Sequence, residues 1–334
     1  MAGQGTHSTQ GHGTAGHGAT DHEHYYVPEQ SRLAICTAFG LFLTVFGASH
    51  YINDHKHAVE GSSWLFWLLA GLAVFLTCLF SWFRTTIIEN RAGMNSAQLK
   101  HSYVIGMQWF IFSEVMFFFA FFGALFYIRT LAGPWLASEG DKVMNHLLWG
   151  DFKYSWPLME TPQQAVGGVS GQSIANNGVF AGPKHNLSFP GWSNLLHWLP
   201  LWNTVVLLSS SFTVHLAHMG LKESNRAKLK LWLGVTLVLA FTFVFLQYKE
   251  YHEAFNEYGL TLHSGIYGTT FFMLTGFHGF HVMMGAFILL VQFLRVTMKD
   301  HFTPDDQFGF EAASWYWHFV DVVWVGLFLF VYIL

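Results

Sequence analysis

Uncharged stretches of roughly membrane length recur along this chain, separated by short polar segments. Leu33 to Ser49 runs seventeen residues without a charge, and Ser62 to Phe83 runs twenty-two. Tyr103 to Ile128 contains only Glu114, and Leu199 to His218 contains no Asp, Glu, Lys or Arg. Leu231 to Tyr248 and Gly259 to Leu294 are uncharged, and Ala312 to Leu334 holds only Asp321. About 20 apolar residues span a bilayer as a helix. The pattern therefore predicts an all-α polytopic membrane protein with seven transmembrane helices. A wider polar gap from Arg84 to His101 divides the first two spans from the last five, which predicts a two-helix and a five-helix bundle.

The segments between the spans set the remaining organisation. Residues 1–30 begin MAGQGTHSTQGHGTAGHGATDHEH. They have almost nothing to bury and are expected to be disordered. Their histidines, at 7, 12, 17, 22 and 24, are flexible and spaced, a weak arrangement for a metal. Helices one and two are expected within 31–84, a linker at 85–101, and helices three to seven within 102–334. One long connection, about 131–198, carries Trp135, Trp149, Trp156, Trp192 and Trp198, which suit an interface belt or a partner surface.

Composition agrees with the periodicity. Of 334 residues only 11% are charged, against about a quarter in soluble domains. The formal net charge of -4 says little when most of the surface faces lipid, and no nucleic-acid partner is expected. Lys and Arg flanking the spans number ten on one side and six on the other, which places the N-terminus in the cytoplasm and the C-terminus outside. Cys36 and Cys78 both fall within spans and read as small core hydrophobes, not as a disulfide pair.

Ionisable residues inside spans are where chemistry is sought first. Glu114 sits in FIFSEVMFFFAFFG among seven phenylalanines. Hydrocarbon disfavours an ionised carboxylate, so the expectation is a neutral acid donating to a helix carbonyl or a histidine. His215 with His218, His278 with His281, and His318 with Asp321 are each spaced three apart, so each pair is expected to point one way into the bundle. Three readings stay open: a hydrogen-bonded network locking helices together, a proton or ion path, and a metal centre. Di-metal bundles use Glu-x-x-His together with further glutamates; this chain offers H-x-x-H twice, one glutamate and H-x-x-D. A metal transporter or membrane metalloenzyme using the H-x-x-H pairs is the alternative of a different class, and near-stoichiometric metal in the isolated chain would favour it. At the helix ends, Trp82, Arg84 and Glu89 follow helix two, and Arg295 and His301 follow helix six. Such groups fit phospholipid headgroups or ordinary interfacial anchoring.

Six segments carry a family resemblance. They are YYVP from Tyr25, WFIFSEVMFFFAFFGALFY from Trp109, PLWNTVVLLSS from Pro200, LQYKEYHEA from Leu246, YGTTFFMLTGFHGFHVMMG from Tyr267, and FGFEAASWYWHFVDVVW from Phe308. The chain resembles the subunit III family of haem-copper cytochrome c oxidases. The resemblance implies seven helices in groups of two and five around a V-shaped cleft that holds phospholipids. It implies a chain with no catalytic residue, haem, copper or other metal of its own. Haem and copper belong to the partner subunits; subunit I is the direct neighbour, with subunit II and small accessory subunits in the same aa3-type complex. Cytochrome c acts on the complex, not on this chain.

The implied role is to stabilise the catalytic subunit and support proton uptake while the complex reduces O2 to water, with the lipid cleft as a suggested oxygen route. Glu114 matches the family's helix-three acid, and Arg84, Glu89, Arg295 and His301 match its lipid contacts. Ile88 stands where the family often has an arginine, and AGMNSAQLK from Ala92 departs from its Gly-His-His-Thr stretch. Leu33 to Phe83 favours this type over the five-helix quinol-oxidase form, and a subunit associated with nitric oxide reductases is the remaining related alternative. The long external loop and His-rich start point to a bacterial chain in the inner membrane.

Overall fold

A computed structural model describes residues 31–57, 61–140, 145, 147–150, 152–158, 162–165, 187–262, 265–299, 302 and 307–334. The N-terminal histidines, the Gly-rich stretch at 167–182 and His301 lie outside the described residues. Among those described, seven helices are long and apolar enough to cross a membrane. They are α1 (Leu33–Lys56), α2 (Trp64–Arg91), α3 (Ala97–Tyr127), α4 (Leu199–Lys222), α5 (Arg226–Asn256), α6 (Gly265–Leu294) and α7 (Phe308–Leu327). Helices α3, α6 and α7 continue into π turns at Ile128–Ala132, Arg295–Lys299 and Phe328–Ile333. The chain divides into two compact units, one ending at Tyr103 and the other starting at Val104.

The first unit is built on the pair α1 and α2, whose backbones approach through glycine. A Cβ added to Gly71 would meet Thr44 N at 2.5 Å, and one added to Gly47 would meet Leu68 N at 2.5 Å. Contacts that short leave room only for hydrogen, so these glycines set the separation of the helices. At the connection, the Ser62 hydroxyl donates to Asp54 Oδ2 at 2.8 Å. The expected linker at 85–101 is mostly helical, since α2 runs on to Arg91 and α3 begins at Ala97. Charge ends the hydrocarbon-compatible stretch there without ending the helix, because long basic side chains reach the interface from a continuing helix. Cys36 is exposed and Cys78 half-buried, so neither packs in a core as the sequence suggested.

In the second unit, α3 to α7 surround a core in which Trp317, Trp324, Phe243 and Phe310 are fully buried. Gly285 of α6 admits the Trp317 ring, which lies 2.8 Å from where a Cβ would stand. The turn from α4 to α5 is capped by Asn225, whose side chain accepts from Lys228 N at 3.0 Å. Indole N–H groups join α7 to α4: Trp317 Nε1 donates to Ser210 Oγ and Trp324 Nε1 to Thr204 Oγ1, each at 3.0 Å.

Described parts of the long loop fasten onto one end of this unit. The Tyr154 hydroxyl donates to the Arg129 carbonyl at 2.6 Å, and Phe189 N donates to the Tyr332 carbonyl at 2.8 Å. Burial pushes the Tyr154 phenol above the usual tyrosine range, which keeps it a donor near neutral pH. Arg129 donates to the Leu334 carbonyl and stacks over Trp156 at 5.5 Å. The loop tryptophans do not act together: Trp198 is buried and bonds the Leu187 carbonyl at 3.1 Å, whereas Trp192 is exposed.

Candidate functional site

The acid on α3 and the second histidine on α6 meet. Glu114 Oε2 lies 3.0 Å from His281 Nε2, and His281 Nδ1 lies 2.6 Å from the Phe277 carbonyl. A carbonyl only accepts, so Nδ1 carries a hydrogen and the imidazole orientation is set. Nε2 and the carboxyl then face each other with one proton between them. Either a neutral acid donates to a neutral ring, or an imidazolium donates to a carboxylate. Both arrangements leave the pair uncharged overall, which is what an apolar surround of Phe117 and Phe118 requires.

His278, three residues earlier, does something else. Its Nε2 donates to the Val320 carbonyl of α7 at 3.2 Å, and its ring packs against Phe243 and Trp324. The two α6 histidines therefore join different neighbours. The other pairs divide more sharply. His215 is exposed, while His218 stands 3.4 Å from Glu311 Oε1. His318 Nδ1 bonds Ser211 Oγ at 2.7 Å and lies 3.9 Å from Asp321 Oδ2. Asp321 is buried, whereas the His318 side chain is 39% exposed. His215 therefore does not turn inward with His218, while His318 is half-buried and reaches α4 through Ser211. Residues three apart differ by about 60° around a helix, enough to cross the edge of a packed face. Among the described residues, no group of three or more His, Cys, Asp or Glu is arranged to hold a metal.

A further node lies where the sequence drew no attention. Glu250 of α5 is fully buried, accepting from Asn203 Nδ2 at 3.0 Å and from the Tyr332 hydroxyl. It ties α4, α5 and the end of α7 together at the level of the loop contacts. Beside it, Gln247 is buried one turn away, and the Tyr267 hydroxyl is buried without a hydrogen-bond partner among the described residues. LQYKEYHEA looks like a polar exit from the membrane, which hid this carboxylate. The signal was periodic: Ala240, Phe243, Gln247, Glu250 and Ala254 recur on one buried face.

The expected headgroup residues occupy contrasting settings. Trp82 and Arg84 are exposed on α2 and Glu89 is half-buried, with no ion pair between Arg84 and Glu89 among the described residues. Arg295 turns toward protein: Nη1 donates to Gln292 Oε1 at 3.2 Å, and its guanidinium sits 4.3 Å from the Phe302 ring centroid. Arg226 donates to the Phe302 carbonyl, so two arginines from different helices hold that buried phenylalanine.

Comparison with known proteins places these nodes in a family context. A family profile described as "Cytochrome c oxidase subunit III" matches residues 22–135 and 195–334, so much of the long loop falls between the matched parts. "Cytochrome c oxidase subunit 3" of Loxodonta africana is 35% identical over 309 residues, covering 92% of this chain and 96% of that protein. The Hippopotamus amphibius protein of the same name is 37% identical over 266 residues, 79% of this chain and 82% of its own. That of Struthio camelus is 35% identical over 309 residues, again 92% and 96%. These relatives are mammalian and avian, which corrects the bacterial type and bacterial inner-membrane location inferred from the sequence. A multi-pass membrane location is what stands. Loop length and a His-rich start were poor guides to source, because segments outside the packed helices vary freely.

Proposed function

Because the chain belongs to the cytochrome c oxidase subunit III family, we propose that it is the non-catalytic core subunit of an aa3-type oxidase, stabilising the haem- and copper-bearing catalytic subunit beside it. The observation that carries this reading is the family match on both sides of the loop, which includes Glu114 and His281. The pairing of those two residues is in keeping with it. A single proton held between an acid and an imidazole, on an acid 22% exposed, suits a support for proton uptake better than a through-chain relay. A relay needs further groups in series, and His278 is directed to a backbone carbonyl instead. Trp82, Arg84 and Glu89, with Arg295 and His301, are assigned here to structural phospholipid; the exposed Trp82 and Arg84 suit that role more directly than Arg295, which is engaged with Gln292 and Phe302. Passage of oxygen through such lipid belongs to the same proposal.

The test is to purify the complex from membranes with and without this chain and follow oxygen consumption through successive turnovers. The expected outcome is a haem-bearing complex that starts active without the chain and inactivates faster. The reading fails when the chain purifies apart from any haem-bearing subunit, or when its removal leaves turnover lifetime unchanged. Near-stoichiometric metal inside the isolated bundle would redirect the assignment to a metalloprotein.

A further inference from the structure

Of the tyrosines packed into the end of the five-helix unit where the long loop docks, one differs from the rest. The Tyr251 hydroxyl meets Thr275 Oγ1 at 2.7 Å, Tyr258 donates to Glu253 Oε1 at 2.8 Å, and Tyr332 donates to Glu250. Tyr267, on the first turn of α6, is 1% exposed, and its hydroxyl has no hydrogen-bond partner among the described residues. An unmet hydroxyl in that setting is costly, and buried polar groups are nearly always met by protein or by an ordered water.

The Tyr267 hydroxyl cannot turn to find a partner. Its ring stacks on Phe271 at 6.1 Å between centroids, and Trp156 of the loop meets it edge-on at 5.7 Å. A phenolic oxygen lies on the ring axis, so spinning the ring leaves it in place. Phe271 also packs on Tyr332 at 5.6 Å, and Tyr267 is within electrostatic reach of both Glu250 and Tyr332. Glu250 accepts from Asn203 Nδ2 and the Tyr332 hydroxyl, two bonds, whereas a carboxylate offers about four acceptor sites. Asn203 Oδ1, the other end of that same amide, is buried without a partner. One unmet donor and unmet acceptors therefore surround a single carboxyl, on α4, α5 and α6.

We propose that one ordered water belongs to this node, accepting from the Tyr267 hydroxyl and donating to the Glu250 carboxyl, with Asn203 Oδ1 as acceptor for its second hydrogen. Internal waters make about three hydrogen bonds, the number of partners gathered here. The site suits water and not a cation, because Asn203 Nδ2 and the Tyr332 hydroxyl already turn donors onto the carboxyl. Glu250 lies six residues before the end of α5 at Asn256, and Tyr267 two after the start of α6 at Gly265. At 1.5 Å per residue these are about 9 and 3 Å from the helix ends, so water enters without crossing the hydrocarbon. Glu250 joins α4, α5 and the end of α7 directly; the water adds α6, under Trp156. The inference concerns the interior of this chain and stands apart from the oxidase reading.

The experiment uses the full chain with its copurifying partners, in lipid. Cryo-electron microscopy at a resolution that shows waters is expected to place a density peak about 3.0 Å from Tyr267 Oη and from a Glu250 carboxyl oxygen, and Tyr267→Phe is expected to lose it. Amide hydrogen exchange at the start of α6 supplies a second reading, with a definite sign. A hydroxyl bonded to water contributes one net hydrogen bond, so Tyr267→Phe is expected to speed exchange there about 2- to 10-fold. A hydroxyl with nothing to bond is a burden, and its removal would slow exchange instead. The proposal is overturned by an empty position in the wild-type density, by a Tyr267 hydroxyl bonded directly to protein, or by a cation in the water's place. Unchanged or slower exchange in Tyr267→Phe overturns it as well.

Discussion

Replacing Glu114 with glutamine and with leucine separates the two ways of holding the proton in the Glu114–His281 pair. In the neutral form, the glutamine amide donates to His281 Nε2 across the same 3.0 Å, so E114Q keeps the bond. Its cost is then below about 1 kcal/mol, while E114L leaves the imidazole nitrogen unsatisfied at about 1–3 kcal/mol. In the charged form, E114Q strands an imidazolium beside Phe117 and Phe118; breaking a fully buried pair in that way costs about 3–5 kcal/mol, and the 22% exposure of Glu114 brings the cost here below that range. The neutral form is expected, because the aromatic surround disfavours separated charge. Denaturation midpoints of the purified complex, with haem recovery per membrane protein, rank the variants. Difference infrared spectra of wild type should show a protonated carboxyl stretch that E114Q lacks. E114Q as unstable as E114L, or wild type without that band, would refute the reasoning.

Three other outcomes follow from the geometry. Tyr332→Phe removes one bond to Glu250 and should cost about 1 kcal/mol, whereas Glu250→Leu strands the Tyr332 hydroxyl and the Asn203 amide and should cost about 2–6 kcal/mol; denaturation midpoints in the reverse order would dismiss the node as a lock. Gly71→Val pushes methyl groups toward Thr44 N, 2.5 Å from the Cβ position, and should destabilise the α1–α2 pair by about 1–3 kcal/mol or more, read as faster amide exchange in α1; unchanged exchange would mean the backbones do not meet there. Arg84→Ala should lower phospholipid retained through gentle purification, measured by mass spectrometry, and equal retention would count against a specific headgroup contact at that exposed arginine.

The helical spans were legible because a bilayer imposes its length on the sequence. Runs such as Ser62 to Phe83 have no other economical explanation, and the helices found there, seven in number among the described residues, divide into the expected two and five. Helix ends were less legible, since Arg84 and Arg91 mark the edge of the hydrocarbon while α2 continues to the second of them. Glu250 escaped notice because hydropathy weighs a residue with its chain neighbours, here Lys249, Tyr251 and His252, and not with the face it shares. Only the helical period through Phe243 and Gln247 marks it as inward. The partnership of Glu114 with His281 was open as a carbonyl-or-histidine choice, which 167 residues of separation left undecided until the helices were placed.

The spacing of the histidine pairs carried less than it promised, for a reason that bears on what this chain does. An i,i+3 pair shares a face only when that face is wider than its 60° separation. Helix α6 is enclosed widely enough for His278 and His281 both to be buried, and they reach α7 and α3 respectively. On α4 the same spacing leaves His215 exposed and His218 half-buried, and on α7 it buries Asp321 while His318 stays half-buried. His218 reaches Glu311, His318 reaches Ser211 and Asp321 is buried, while His215 is exposed. Spacing thus says which residues lie one turn apart, and the width of the packed face decides which of them the bundle uses: His278, His281, His218 and His318 each reach a neighbouring helix, and His215 does not.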